Sequence, residues 1–199
     1  MLDKTYKRAN KDINKHMVKK AQHNNAMWFY NLHIKEVVEC ARQLLPLYNS
    51  DEKVVTLACW LHDVSLLYVE SQNNMIDAHK IHHTESAKIA DELLKPYKMD
   101  KQEKDLIISC VQYHRNKSGY QPKKTEEKIV AVADAMSHFT SLYYFTYFKF
   151  NPNDSLEEMI LKRKKQIEKD WNKLDILPKS KKIVKDKYLF FKELINNYT

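Results

Sequence analysis

One glycine, Gly119, has to serve a chain of 199 residues, and only five prolines accompany it. Ordinary usage would be about 7% and about 5%. Hairpin turns and phosphate-cradling loops draw on glycine because it alone enters positive-φ backbone without steric cost. Both an all-β fold and a Gly-rich nucleotide loop are therefore disfavoured, and neither G-x-G-x-x-G nor a Walker A sequence occurs. Apolar residues recur instead at helical spacing. Ile34, Val37, Val38, Ala41, Leu44 and Leu45 form one stripe, and Val54, Val55, Leu57, Ala58 and Leu61 a second. The expected class is all-α, a helical bundle.

Helix signals set the expected boundaries. An N-terminal helix is expected over residues 9–30, then one from His33 to Tyr48 and one over 51–68 capped by Asp51 or Ser50. Residues 70–81 read as polar and irregular, with a new helix opening at Thr84-Glu85-Ser86. Asp100 caps the next, which ends at Tyr113-His114, and the loop from Arg115 to Pro122 follows. A long helix is expected from Thr125 to Phe148, and Asn151-Pro152-Asn153-Asp154 breaks it. Ser155-Leu156-Glu157-Glu158 starts another, and Leu177-Pro178 separates it from a last amphipathic helix. Residues 1–150 then make one helical domain, with 151–199 a C-terminal helical pair packed on it.

Cys40, Cys59 and Cys110 lie far apart in apolar helical patterns, without a C-x-x-C pair, and read as buried free thiols. No signal-peptide pattern and no apolar run of the roughly 18 residues a membrane span needs occur. The expectation is a cytoplasmic protein without a membrane partner. Its formal net charge of +8 favours anionic partners such as small phosphorylated molecules. Lys162-Arg163-Lys164-Lys165 and the lysines at 179, 181 and 182 read as solvated faces, so nucleic acid is admissible but not favoured. Oligomeric state is not legible.

The chemistry sits in histidine and aspartate. His62-Asp63 ends the apolar run Val54-Val55-Thr56-Leu57-Ala58-Cys59-Trp60-Leu61. Burying an unpaired carboxylate costs several kcal/mol, whereas a metal ion that takes it and the imidazole as ligands removes that cost. His33 opens a core helix, His82 and His83 precede a helix start, and His114 closes a helix. Asp134 sits among Val130, Ala131, Val132, Ala133, Ala135 and Met136, with no basic residue within one turn. Imidazole and carboxylate together suit manganese, iron, cobalt, nickel or zinc, with magnesium less favoured. His79 and His83 are alternatives to His82, while His16, His23 and His138 read as ordinary. The aromatics Tyr143-Tyr144-Phe145-Thr146-Tyr147-Phe148 read as core against the C-terminal pair rather than as a base-stacking platform.

In order and context, His33 with Val37-Val38, Leu57 to Val64, His82-His83-Thr84-Glu85-Ser86-Ala87, Val111-Gln112-Tyr113-His114 and Ile129 to Ser137 resemble the HD-domain superfamily of metal-dependent phosphohydrolases. The resemblance covers roughly residues 28–140. It implies an HD-type helical bundle in which His33, His62, Asp63 and Asp134 hold a first divalent metal. His82 and His114 would join Asp63, as a bridging carboxylate, around a second. Such an ion pair, roughly 3.5–4 Å apart, would clamp a phosphoryl group and acidify a water for in-line attack. Many members carry Gly-Lys or a catalytic Glu just after the His-Asp pair, where this chain has Val64-Ser65-Leu66-Leu67. Arg115, Lys80 and Lys117 are the candidates to bind the substrate phosphate, and Asp63 is the candidate catalytic residue. The expected activity is hydrolysis of a phosphate monoester or pyrophosphate bond, a nucleotide being one such substrate. The rivals are a di-iron HD-type oxygenase and a non-catalytic nucleotide- or nucleic-acid-binding module.

Overall fold

The computed structural model describes residues 4–69, 75–117, 119–146 and 153–198, and for 75–77 only the backbone. Its helices are α1 (Lys4–His23), α2 (Met27–Phe29), α3 (Lys35–Leu44), α4 (Glu52–Leu61), α5 (Met75–Leu94), α6 (Lys101–Tyr113), α7 (Thr125–Thr140), α8 (Leu156–Lys173) and α9 (Lys179–Asn196). Among the described residues the only β pairing is an isolated bridge between Lys117 and Tyr120. The fold is all-α, as the missing glycines require. No described helix is long and apolar enough to cross a membrane.

Helix α4 is the centre. Its residues Val54 to Leu61 are all buried, so it has no solvent face, as a helix wrapped by others must. Helices α1, α3, α6 and α7 pack around it, and α5 lies along α6. Asp51 fixes its start by accepting from the backbone N–H of Lys53 at 2.8 Å and of Val54 at 3.4 Å. Asp100 caps α6 in the same way. Helix α1 turns Tyr6, Ala9, Ile13, Met17 and Ala21 inward at three- and four-residue spacing. Asn10 Oδ1 on α1 then accepts the Trp60 indole N–H at 2.9 Å, fixing how α1 crosses α4.

The C-terminal pair packs on α7. The rings of Trp171 on α8 and Tyr188 on α9 stack at 4.0 Å and 7°. Ser155 and Glu158 close a reciprocal cap at the start of α8. Of the aromatic run, Tyr144 packs on Phe191 as core while Phe145 is exposed, and Tyr147 and Phe148 lie outside the described residues. All three cysteines are buried free thiols.

Four expected boundaries need correction, the first being the helix expected over 51–68, which ends at Leu61 and gives way to a 3₁₀ turn over Val64–Tyr68. The N-terminal helix ends at His23, because Asn25 takes a positive φ of 54° that a helix cannot continue through. The helix expected through Phe148 ends at Thr140 and is followed by a 3₁₀ turn over Tyr143–Thr146. The segment read as irregular is helical from Met75 onward, so His79, His82 and His83 lie inside α5; residues 70–74 lie outside the description. The apolar positions of α5 are sparse before Ala87, which is why periodicity passed over its first half.

Because α4 is buried on every side, Leu57→Ala should destabilise the fold by roughly 2–5 kcal/mol in urea unfolding. The same truncation at Leu142, 61% exposed, should change it by less than about 0.5 kcal/mol.

Candidate metal centre

Five separate pieces of backbone bring six side chains together. His33 lies in a π-helical turn, Tyr30–Ile34, that joins α2 to α3. Such widened turns insert one extra residue into a helix and occur often at functional sites. His62 ends α4, and Asp63 begins the 3₁₀ turn Val64–Tyr68. His82 comes from α5, His114 from the end of α6 and Asp134 from the middle of α7. Their ligand atoms form two groups that could hold a metal ion, His33 with His62 and Asp134, and Asp63 with His82 and His114.

The histidines are aimed by one repeated local device. The Nδ1 of His62 bonds the carbonyl of Cys59 at 2.7 Å, that of His82 the carbonyl of His79 at 2.8 Å, and that of His114 the carbonyl of Val111 at 2.6 Å. Each acceptor lies three residues upstream. His33 Nδ1 meets Ser137 Oγ at 3.1 Å, and that hydroxyl already donates to the carbonyl of Asp134. A carbonyl can only accept, and a hydroxyl that has spent its proton can only accept, so all four Nδ1 atoms carry the proton. In its neutral form each ring presents an Nε2 lone pair inward.

Those inward atoms crowd together. His33 Nε2 lies 3.1 Å from His62 Nε2, and His82 Nε2 lies 3.2 Å from His114 Nε2. Asp63 stands between the two pairs, with Oδ2 3.2 Å from His33 and 3.5 Å from His62, and Oδ1 3.0 Å from His82 and 3.3 Å from His114. Asp63 is almost fully buried, yet Oδ1 has no hydrogen-bonding partner. Facing lone pairs at such distances repel unless a cation lies between them. Imidazole nitrogen and carboxylate oxygen are donors suited to a divalent transition metal, so the residues fit one.

Burial alone would raise the Asp63 carboxyl, but the surrounding imidazoles in their protonated forms, His82 and His62 foremost, outweigh it and hold it well below the usual range. Asp134 behaves likewise, with Lys173 the strongest opposing influence. Burial keeps His33 below its ordinary value and takes His114 down to about 4.

The cations expected at the substrate stand on one rim. Arg115 is half-buried, and its Nη1 donates to the carbonyls of His79 and Lys80. Lys117 Nζ reaches the Lys80 carbonyl at 3.5 Å, and Lys80 itself is exposed. His83 points away from the cluster, edge-on to the ring of Tyr120, which leaves His82 as the candidate from this pair. The residues after His62-Asp63 have a packing role. Val64, Leu66 and Leu67 are buried, and Ser65 Oγ donates to the His82 carbonyl at 3.1 Å while Ser86 Oγ donates to Ser65 Oγ at 2.9 Å. That small network ties the His-Asp turn to α5.

Sequence reasoning missed a second layer. His138, read as ordinary, stacks on Tyr143 at 4.0 Å and lies 5.3 Å from the ring of His33. Its Nδ1 bonds Asp170 Oδ2 at 2.8 Å, and its Nε2 lies 3.8 Å from Asp134 Oδ1. Burial would lower the His138 imidazole, but Asp170 overrides it and the net shift is upward. Lys173 Nζ meets Asp134 Oδ2 at 2.8 Å, so the aspartate without a basic neighbour in sequence has one in space. The available signal was His138 itself, one turn after Asp134 on the same helix face.

The class these features define is an all-helical protein with a buried His/Asp cluster suited to divalent metal. The HD domain family model matches residues 31–138, more than half of the chain, and the chain belongs to that family, the HD superfamily of metal-dependent phosphohydrolases. Comparison with curated proteins and with solved structures found no match.

Burial also holds His79 down to about 4. Both His79 and His114 stay neutral in the fold, while the unfolded chain protonates near 6.5, a value of about the ordinary range. These two rings make the unfolded state bind more protons between these values, so their contribution to stability is full above about 6.5 and falls as pH drops towards about 4, opposed by the single upward-shifted His138. Chelator-treated protein should melt at progressively lower temperature from about pH 7 to about pH 4.5. A flat profile would contradict neutral buried imidazoles.

Proposed function

We propose that this protein is a metal-dependent phosphohydrolase that cleaves a phosphate monoester or pyrophosphate bond in a small phosphorylated molecule, a nucleotide being one such molecule. The observation that carries the reading is Asp63, a buried carboxylate whose two oxygens face different imidazole pairs while Oδ1 has no hydrogen bond. His33, His62, Asp63 and Asp134 would hold one ion, and Asp63, His82 and His114 a second. Bound metal would supply Lewis acidity and bring the pKa of a coordinated water towards neutrality.

The chain's own groups would bind and orient the anion. Arg115 is held beside the cluster by two α5 carbonyls, and its guanidinium can grip phosphate oxygens in bidentate fashion. Lys117 and Lys80 add positive charge on the same rim, which supports an anionic substrate. Val64, Leu66 and Leu67, directly after the His-Asp pair, are buried as core, so in this reading the cations for the phosphate come from the α5–α6 rim instead.

Metal analysis of chelator-free protein without a histidine tag, followed by a phosphatase screen with Mn, Co, Ni and Mg, tests the reading. Divalent metal and phosphate release are expected, and Asp63→Ala should lose both, with activity down by at least about a hundredfold. Full activity in metal-free Asp63→Ala would defeat the proposal. Iron with oxygen consumption and no phosphate release would replace it with an oxygenase, and binding with steep salt dependence and no turnover with a binding module.

A further inference from the structure

Helix α8 lies outside the matched residues 31–138, yet it reaches the centre through Lys173. The Lys173 side chain is 11% exposed and that of Asp134 13%, so this ion pair is shielded from solvent. Asp134 divides its two oxygens. Oδ1 faces inward, 3.5 Å from His33 Nε2, while Oδ2 is 2.8 Å from Lys173 Nζ. Lys173 is not a wandering surface lysine. It sits in the last turn of α8, where the helix dipole favours a cation. Two neighbours fix the register of that turn: Asp170, which accepts from His138, Tyr144 and Gln166, and Trp171, stacked on Tyr188.

We propose that Lys173 is a positioning residue of the metal centre: by occupying Asp134 Oδ2 it commits that aspartate to the metal through a single oxygen, Oδ1. The inference rests on the reading of Asp134 as a ligand. Its physical content is a limit on coordination number and on charge. A carboxylate with both oxygens available can chelate one ion, whereas one shared with an ammonium offers a single donor and a reduced negative charge. Partners that raise ligand basicity strengthen metal binding, and their loss weakens it by roughly 10–100-fold. A lysine on a carboxylate acts in the opposite sense, so its removal should tighten binding.

Cobalt(II) titration of the full chain, followed by calorimetry and visible absorption, tests this. Wild type and Lys173→Arg should bind with the same affinity and the same band intensity. Lys173→Met should bind about tenfold more tightly, since a shielded positive charge beside a dication is gone. Its band should be weaker, because a second carboxylate oxygen raises the coordination number. Should Lys173→Met fail to fold, Lys173→Gln, which keeps a hydrogen-bond donor without the charge, should show the same tightening. A methionine or glutamine variant with wild-type affinity and an unchanged band overturns the proposal while leaving the metal centre standing. A wild type that takes up no cobalt overturns both.

Discussion

Four imidazoles converge on one buried carboxylate, in two groups of ligand atoms that could each hold a metal ion. The same fold shows how it treats a buried carboxylate that needs no metal. Glu127 is as buried as Asp63, but it accepts from Ser109 Oγ at 2.8 Å and from the backbone N–H of Lys123 at 2.7 Å and Lys124 at 3.0 Å. Its oxygens are matched to donors, as buried polar groups almost always are. Asp63 is surrounded by groups whose protons are committed outward. The chain plainly can satisfy an interior acid, so the unmatched Oδ1 is a property of that site and not of the packing around it.

The precision of the cluster comes from local bonds rather than from long-range ones. Three of the histidines fix their own tautomer on a carbonyl one turn back, so each helix end delivers a ring already oriented. Orienting contacts of this kind set ligand basicity as well as direction. Packing then has only to hold helix ends in place. A fully buried α4 does that for His62 and Asp63, and the Ser65–Ser86 contact does it between the His-Asp turn and α5.

How much was readable in advance follows from the same distinction. Asp51, Asp100 and Ser155 act at short range, and their caps were legible as residue types. The six candidate ligands were legible because their order and flanking residues follow a family pattern, and the structure brings all six together. What stayed hidden depends on contacts across the chain. Lys173 is 39 residues from Asp134, and Asp170 is 32 from His138, and nothing in local periodicity joins them. The first half of α5 was also missed, because apolar residues are sparse before Ala87 and His82 is turned into the cluster rather than onto an apolar stripe.

The widened turn at Tyr30–Ile34 ties function to the counting of residues. Helix α3 presents Val37, Val38, Ala41 and Leu44 to the interior in ordinary α-helical phase, and the extra residue upstream lets His33 point at Asp63 without disturbing that phase. One residue fewer would restore uniform helix and swing everything before it by about 100°. Chain length in this stretch thus itself sets where the His33 ring points, and relatives that keep every histidine but lack the inserted residue would need another way to aim the first of them.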